Sequence, residues 1–207
     1  MEYKQVIKDF NKEFTLNFNL NYTDKTLSEP SEKSKDVLKK NGKNVHSSFI
    51  KFYSEVGSYS LDWQNTIELE ADVAGSVKIL QPEKVLSDWK EVIYFEDDSS
   101  LKYFKVFDQF SEDACCGFYT TESKSEPHHV LYYYDFHNEA FSLHLDLEGY
   151  IQMMILSKGF LYWQKVLLDY LMKKESGNTK LMKNNLHKVF EDFDFKNFIE
   201  KYKAIKL

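Results

Sequence analysis

Residues 143–164 read LHLDLEGYIQMMILSKGFLYWQ. The first four residues read as a strand end. Behind them Leu147, Tyr150, Ile151, Met154 and Ile155, then Phe160, Trp163, Val166 and Leu167, recur at intervals of three and four. That is the spacing of a helix with one apolar face. Lys158-Gly159 interrupts the run, so the stretch predicts two short helices on the end of a strand. It holds no nucleophile, metal-ligand cluster or phosphate loop. It speaks of architecture, not of chemistry.

Upstream lies a succession of strand signals. Alternation and β-branched or aromatic content predict strands over 58–70, 76–80, 101–107, 114–119, 129–136 and 139–145. In the first, Leu61, Trp63 and Ile67 face inward, and the last two form a hairpin around His137-Asn138. A turn covers 122–128. Helix signals flank the strands. SEKSKDVLKKNG (31–42) has Ser31 to cap it, with Lys39 and Lys40 in its last turn. HSSFIKFYSEVG (46–57) has Ser47 or Ser48 to start it and Gly57 to stop it, and Pro82 suits the first turn of PEKVLSDWKEV (82–92). After a break at 174–178, residues 181–205 supply one or two closing helices. At the start, 3–12 predict a short helix. Residues 13–22 alternate, with Phe14, Leu16, Phe18, Leu20 and Tyr22 on one side of a strand, and 23–30 read as a loop. Helices before and after mostly adjacent strands predict α+β: one domain over 1–207, with a single mainly antiparallel or mixed sheet of about six strands.

The composition supports a sizeable core, with 17 Phe, 14 Tyr and 3 Trp in 207 residues. Trp63, Trp89 and Trp163 each fall on an apolar face and are expected to be buried with the indole N–H bonded. The two cysteines are neighbours, Cys115 and Cys116. Adjacent strand residues point to opposite faces, so free thiols are expected rather than a mutual disulfide. No run approaches the ~18 apolar residues of a membrane span, and the charged N-terminus does not read as a signal peptide. A reduced cytoplasmic protein is the expectation.

Every basic residue is lysine. Without the arginine fork, bidentate grip on phosphate or guanine is unavailable. Charge is also unevenly spread: a net of +2 over 1–50, −13 over 51–156 and +5 over 157–207. An acidic middle disfavours nucleic acid and anionic membrane as partners and favours a basic one. The plain alternative is a solvated acidic face.

Other constellations are weak. His128, His129, His137 and His144 lie near Asp135, Glu139 and Asp146, but without the ligand spacings of a zinc site, so no metal is expected. Glu68, Glu70 and Asp72 alternate as if along one strand face, and Glu96, Asp97, Asp98 and Glu112, Asp113 form two more acidic clusters. Paired carboxylates can hydrolyse glycosides when correctly spaced, yet solvated acids are far commoner. There is neither a Gly-x-Ser-x-Gly elbow nor a Gly-rich phosphate loop. Stacking of bases on Tyr132-Tyr133-Tyr134 is opposed by the surrounding charge.

Taken in order, FIKFYSEVGSYSLDW, GSVKILQPEKVLSDW, LKYFKVFD, the late hairpin and LEGYIQMMILSKGFLYWQ resemble the SUKH superfamily, over roughly residues 30–172. Residues 1–29 are then an N-terminal extension and 173–207 a helical tail. That superfamily takes in fungal cell-wall synthesis regulators and many bacterial immunity proteins. The resemblance implies an α+β protein-binding domain with no enzyme activity, no catalytic residues and no cofactor. Its bacterial members neutralise polymorphic toxins, many of them nucleases, by binding them. The expected partner is therefore a basic protein toxin. The expected contact residues are Asp62, Glu68, Glu70, Asp72, Glu96, Asp97, Asp98, Glu112 and Asp113. A general intracellular interaction module without a toxin is the alternative.

Overall fold

Seven strands lie in the sheet in the same order as in the chain, every neighbouring pair antiparallel. They are β1 (Leu20–Ser28), β2 (Ser58–Asn65), β3 (Ala74–Ile79), β4 (Phe104–Asp108), β5 (Cys115–Tyr119), β6 (Leu131–Tyr134) and β7 (Phe141–Leu145). The α-helices are α1 (Tyr3–Leu16), α2 (Glu32–Asn41), α3 (Ser47–Glu55), the single turn α4 (Pro82–Val85), α5 (Leu147–Leu156), α6 (Trp163–Met172), α7 (Gly177–Val189) and α8 (Phe195–Ile205). The computed structural model describes residues 1–121, 128–136 and 139–207. The fold is α+β, as the strand and helix signals predict.

One face of the sheet carries the main core. Leu61 and Trp63 of β2, Val77 of β3, Phe107, Cys116, Phe118 and Tyr133 pack there against α1, α3, α5, α6, α7 and α8. The other face is covered over β4–β6 by the 86–103 excursion, where Trp89 and Ile93 meet Phe104, Val106, Cys115 and Tyr134 in a second, smaller cluster. Cys115 and Cys116 thus point into different cores, both as free buried thiols. A shift of register between Val106 and Asp108 matters here. Val106 belongs to the small cluster. An unbroken strand would send Asp108 the same way, but the bulge turns Phe107 and Asp108 both toward the main core.

Sequence reading and structure part company in several places. Residues 13–16 continue α1 instead of opening a strand, because Tyr3, Ile7, Phe10 and Phe14 form one buried helical stripe. Leu16 and Phe18 are therefore exposed. An Asn17 turn intervenes, with Asn19 N–H donating to Asn17 Oδ1 at 2.9 Å, and the strand starts only at Leu20. Residues 23–28 are strand, not loop. They form a polar edge whose outer side faces solvent, so apolar alternation is missing. The first predicted sheet strand stops at Asn65, leaving Ile67, Glu68, Glu70 and Asp72 in the β2–β3 loop. Residues 100–103 form a 3-10 turn ahead of β4. The helix expected over 82–92 lasts one turn. His46, not a serine, caps α3, and Val56 ends it. Gly57 serves close approach instead: a Cβ there would collide with the Glu29 backbone of the β1 side. The turn at 122–128, apart from His128, and the hairpin turn His137-Asn138 lie outside the described residues.

All three tryptophans are buried. Trp63 Nε1–H donates to Lys158 O at 2.8 Å and Trp89 Nε1–H to Val85 O at 3.0 Å. Trp163 departs from expectation: its Nε1–H has no partner among the described residues. Beside it, Gln164 Oε1 is unpartnered too, while its Nε2 donates to Tyr150 Oη at 3.0 Å.

Candidate interaction surface

In an antiparallel meander the connections alternate between the two ends of the sheet. The β2–β3, β4–β5 and β6–β7 loops consequently share one end. Their described residues carry Glu68, Glu70, Asp72, Glu112, Asp113, Asp135 and Glu139, and not one lysine. Glu68, Glu70, Asp72, Glu112, Asp113 and Glu139 are exposed. Opposite-end connections mix both signs, as in Lys33, Lys35 and Asp36 or Glu83, Lys84 and Lys90.

The roots of these loops are held firmly. Asn65 closes the β2–β3 loop: its Nδ2 donates to Ile67 O at 2.7 Å and its Oδ1 accepts from Val73 N–H at 2.6 Å. Thr66 N–H donates to Asn19 O at 2.8 Å, which joins that loop to the turn before β1. In the β4–β5 loop, Asp113 accepts from the Ser111 hydroxyl and, at 2.6 Å, from the Tyr162 hydroxyl. These hydrogen bonds hold its carboxyl below the usual carboxylate range. It is a fixed negative charge at neutral pH.

The remaining expected contact residues lie elsewhere. Asp62 is half-buried in the middle of β2, on the polar face, opposite Asp24 and Ser76. Glu96, Asp97 and Asp98 are exposed in the 86–103 excursion, which leaves from the other end of the sheet. Asp97 there pairs with Lys90 at 2.8 Å, and that bond lowers its pKa. The structure thus brings Glu68, Glu70, Asp72, Glu112 and Asp113 to one end of the sheet and leaves Asp62, Glu96, Asp97 and Asp98 in two other places.

Two features escaped sequence reasoning. Phe18, 94% exposed, and Leu16, 75% exposed, flank Asn17 at the acidic end. The second is buried. Asp108 accepts from Lys78 N–H and from Tyr150 Oη–H, each at 2.7 Å. Burial pushes this carboxyl up to about 6 against those two bonds, and burial also raises the Tyr150 hydroxyl and Cys116 thiol. None of Asp108, Tyr150, Gln164 and Cys116 exposes any surface, so this network is internal to the core. The only sequence signal was an aspartate ending an aromatic strand.

The His46 and His129 rings lie 5.5 Å apart, tilted by 45°, and His128 lies edge-on to Tyr119, but no group of three or more metal-ligating side chains occurs among the described residues. No described helix is long and apolar enough to cross a membrane. Comparison with family models, with curated proteins and with solved structures returned no match.

Proposed function

We propose that this chain is a non-catalytic protein-binding domain whose partner is a basic protein, and that it acts as an immunity protein neutralising a nuclease toxin. One observation carries the reading: three hairpin loops at one end of the sheet carry exposed carboxylates and no lysine. Like charges so gathered repel one another and favour a cationic counterpart. A nuclease is basic where it holds nucleic acid, so an acidic end can steer toward that surface and cover it. The resemblance to SUKH immunity proteins supplies the toxin in this reading. The compartment that goes with it is the reduced cytosol, where a nuclease acts and both thiols stay free.

The test is binding of the purified chain to the product of a toxin gene encoded beside it. Association should slow as salt shortens the Debye length from ~10 Å at 0.1 M to ~3 Å at 1 M. Reversing Glu68, Glu70 and Asp72 to lysine should slow it further, and reversing Glu112 with Asp113 should do the same. Affinity indifferent to salt and to both sets of reversals would remove the acidic surface from the mechanism. Absence of binding, with no protection of cells making the toxin, would leave a general interaction module.

A further inference from the structure

A cleft of about 530 Å³ opens at the same end of the molecule, between the α1–β1 turn and the α7–α8 loop. Its apolar side is Leu16 and Phe18. Glu13, Glu191 and Asp192 also line it. Among the described residues the one ammonium bonded to these acids is that of Lys158, which is 5% exposed and lies 2.7 Å from Glu13 and 2.6 Å from Asp192. One buried cation against three carboxylates leaves the cleft negative.

The turn that presents Phe18 is built rigidly. Asn17 Nδ2 donates to Val189 O at 2.9 Å, tying the turn to the end of α7, while Asn17 Oδ1 accepts from Asn19 N–H. Thr66 N–H holds the Asn19 carbonyl from the β2–β3 loop. An almost fully exposed aromatic ring is costly in water, and a turn backbone already fixed by hydrogen bonds loses little entropy on binding. This combination marks the anchors of protein interfaces.

We infer that this cleft receives a partner-protein segment bearing a large apolar side chain flanked by lysine or arginine. The apolar group packs on Phe18 and Leu16, and its basic neighbours meet Glu13, Glu191 and Asp192. The inference rests on the protein-binding reading above and names the chemistry of the contact. Charge complementarity selects this occupant: an anionic segment is repelled by the rim, and a purely cationic one leaves Phe18 in water.

The test uses the full chain and three labelled eight-residue peptides, of alternating Lys-Leu, Lys-Ser and Glu-Leu. Binding is followed by fluorescence anisotropy and mapped by amide chemical shifts. The Lys-Leu peptide should bind best and shift residues 13–19 and 189–192. Phe18→Ser and Glu191→Lys should each weaken it about tenfold, as loss of an anchor does. Both positions are exposed, so the melting temperature should stay unchanged. Shifts absent from those residues, equal binding of Lys-Ser, or indifference to Phe18→Ser would overturn the inference. Toxin binding that is lost on reversing the loop acids but unmoved by Phe18→Ser would sink the cleft alone. Peptide binding that obeys the cleft variants, without toxin binding, would sustain the cleft and sink the immunity reading.

Discussion

The indole N–H of Trp63 donates to the carbonyl oxygen of Lys158 at 2.8 Å, across 95 residues of chain. That bond fastens β2 to the break between α5 and α6. The break itself follows from the backbone: Lys158 and Gly159 both have positive φ, 57° and 63°. Left-handed residues end a helix and turn the chain. Gly159 O then accepts from Ser76 N–H at 2.9 Å, and Leu161 N–H donates to Ala74 O at 2.9 Å. The break runs beside β3 as a short extra rung.

Trp63→Phe should therefore cost more stability than Trp163→Phe. Both remove similar apolar area from buried sites. Only the first strands a carbonyl partner, because the Trp163 N–H has no partner among the described residues. The expected gap is about 1 kcal/mol, the net worth of one hydrogen bond. Urea melts of the two variants measure it, and equal midpoints would show that the Lys158 carbonyl finds another donor.

Gly75→Ala should destabilise the fold by roughly 1–3 kcal/mol, the usual cost of overpacking. A Cβ at this position would strike the Trp63 indole and come within 2.7 Å of Gly159 O. Gly177→Ala is the control, since nothing lies within 4 Å of its added carbon. A melting temperature unchanged by Gly75→Ala would mean that the 158–161 break moves aside freely.

Stability should fall as pH rises from about 4 to about 6 on account of Asp108. Its carboxyl is raised from 3.8 to about 6 by burial, so in that window the folded chain keeps a proton that the unfolded chain has released. Proton uptake favours folding at the low end, and the effect levels off above about 6. Its size is on the order of 3 kcal/mol at about 1.4 kcal/mol per pKa unit. Asp108→Asn should flatten this segment of the pH profile in chemical denaturation. A segment as steep as before would assign the proton to another group.

Cys115 and Cys116 should resist Ellman's reagent in the native state at pH 8, and both should react in denaturant. Burial raises both thiols, and the Asp108 charge adds to it. Thiolate is the reactive form, so little is present and none of it is exposed. Reaction of either thiol within seconds under native conditions would point to local opening of β5.

Strands β2 to β7 and the α5–α6 pair were readable because their apolar periods agree with their burial. At the N-terminus two periods competed. Phe14 satisfies both the helical stripe from Tyr3 and the alternation toward Tyr22, and only tertiary packing on Trp63 and Phe190 decides for the helix. β1 was illegible for a different reason: an edge strand with Thr, Asp and Lys gives no apolar signal. The acidic residues were visible one by one. Their grouping was not, because it depends on which loops share an end of the sheet, and that is a property of topology. Phe18 was placed on the apolar side of a strand for the same reason as the residues around it.

Consecutive strands pair with each other, so most of the sheet can zip up as the chain leaves the ribosome. The first helix cannot. Phe14, at the end of its apolar stripe, packs against Phe190, and Asn17 waits for the carbonyl of Val189 across 172 residues. Tyr3 finds Phe52 and Phe14 finds Trp63 early, but until α7 is made the Phe14 end of the stripe lacks its Phe190 cover. Closing α1 onto the end of α7 is then a late event in folding. A nascent chain halted before α7 should accordingly recruit chaperones through the Phe14 end of α1.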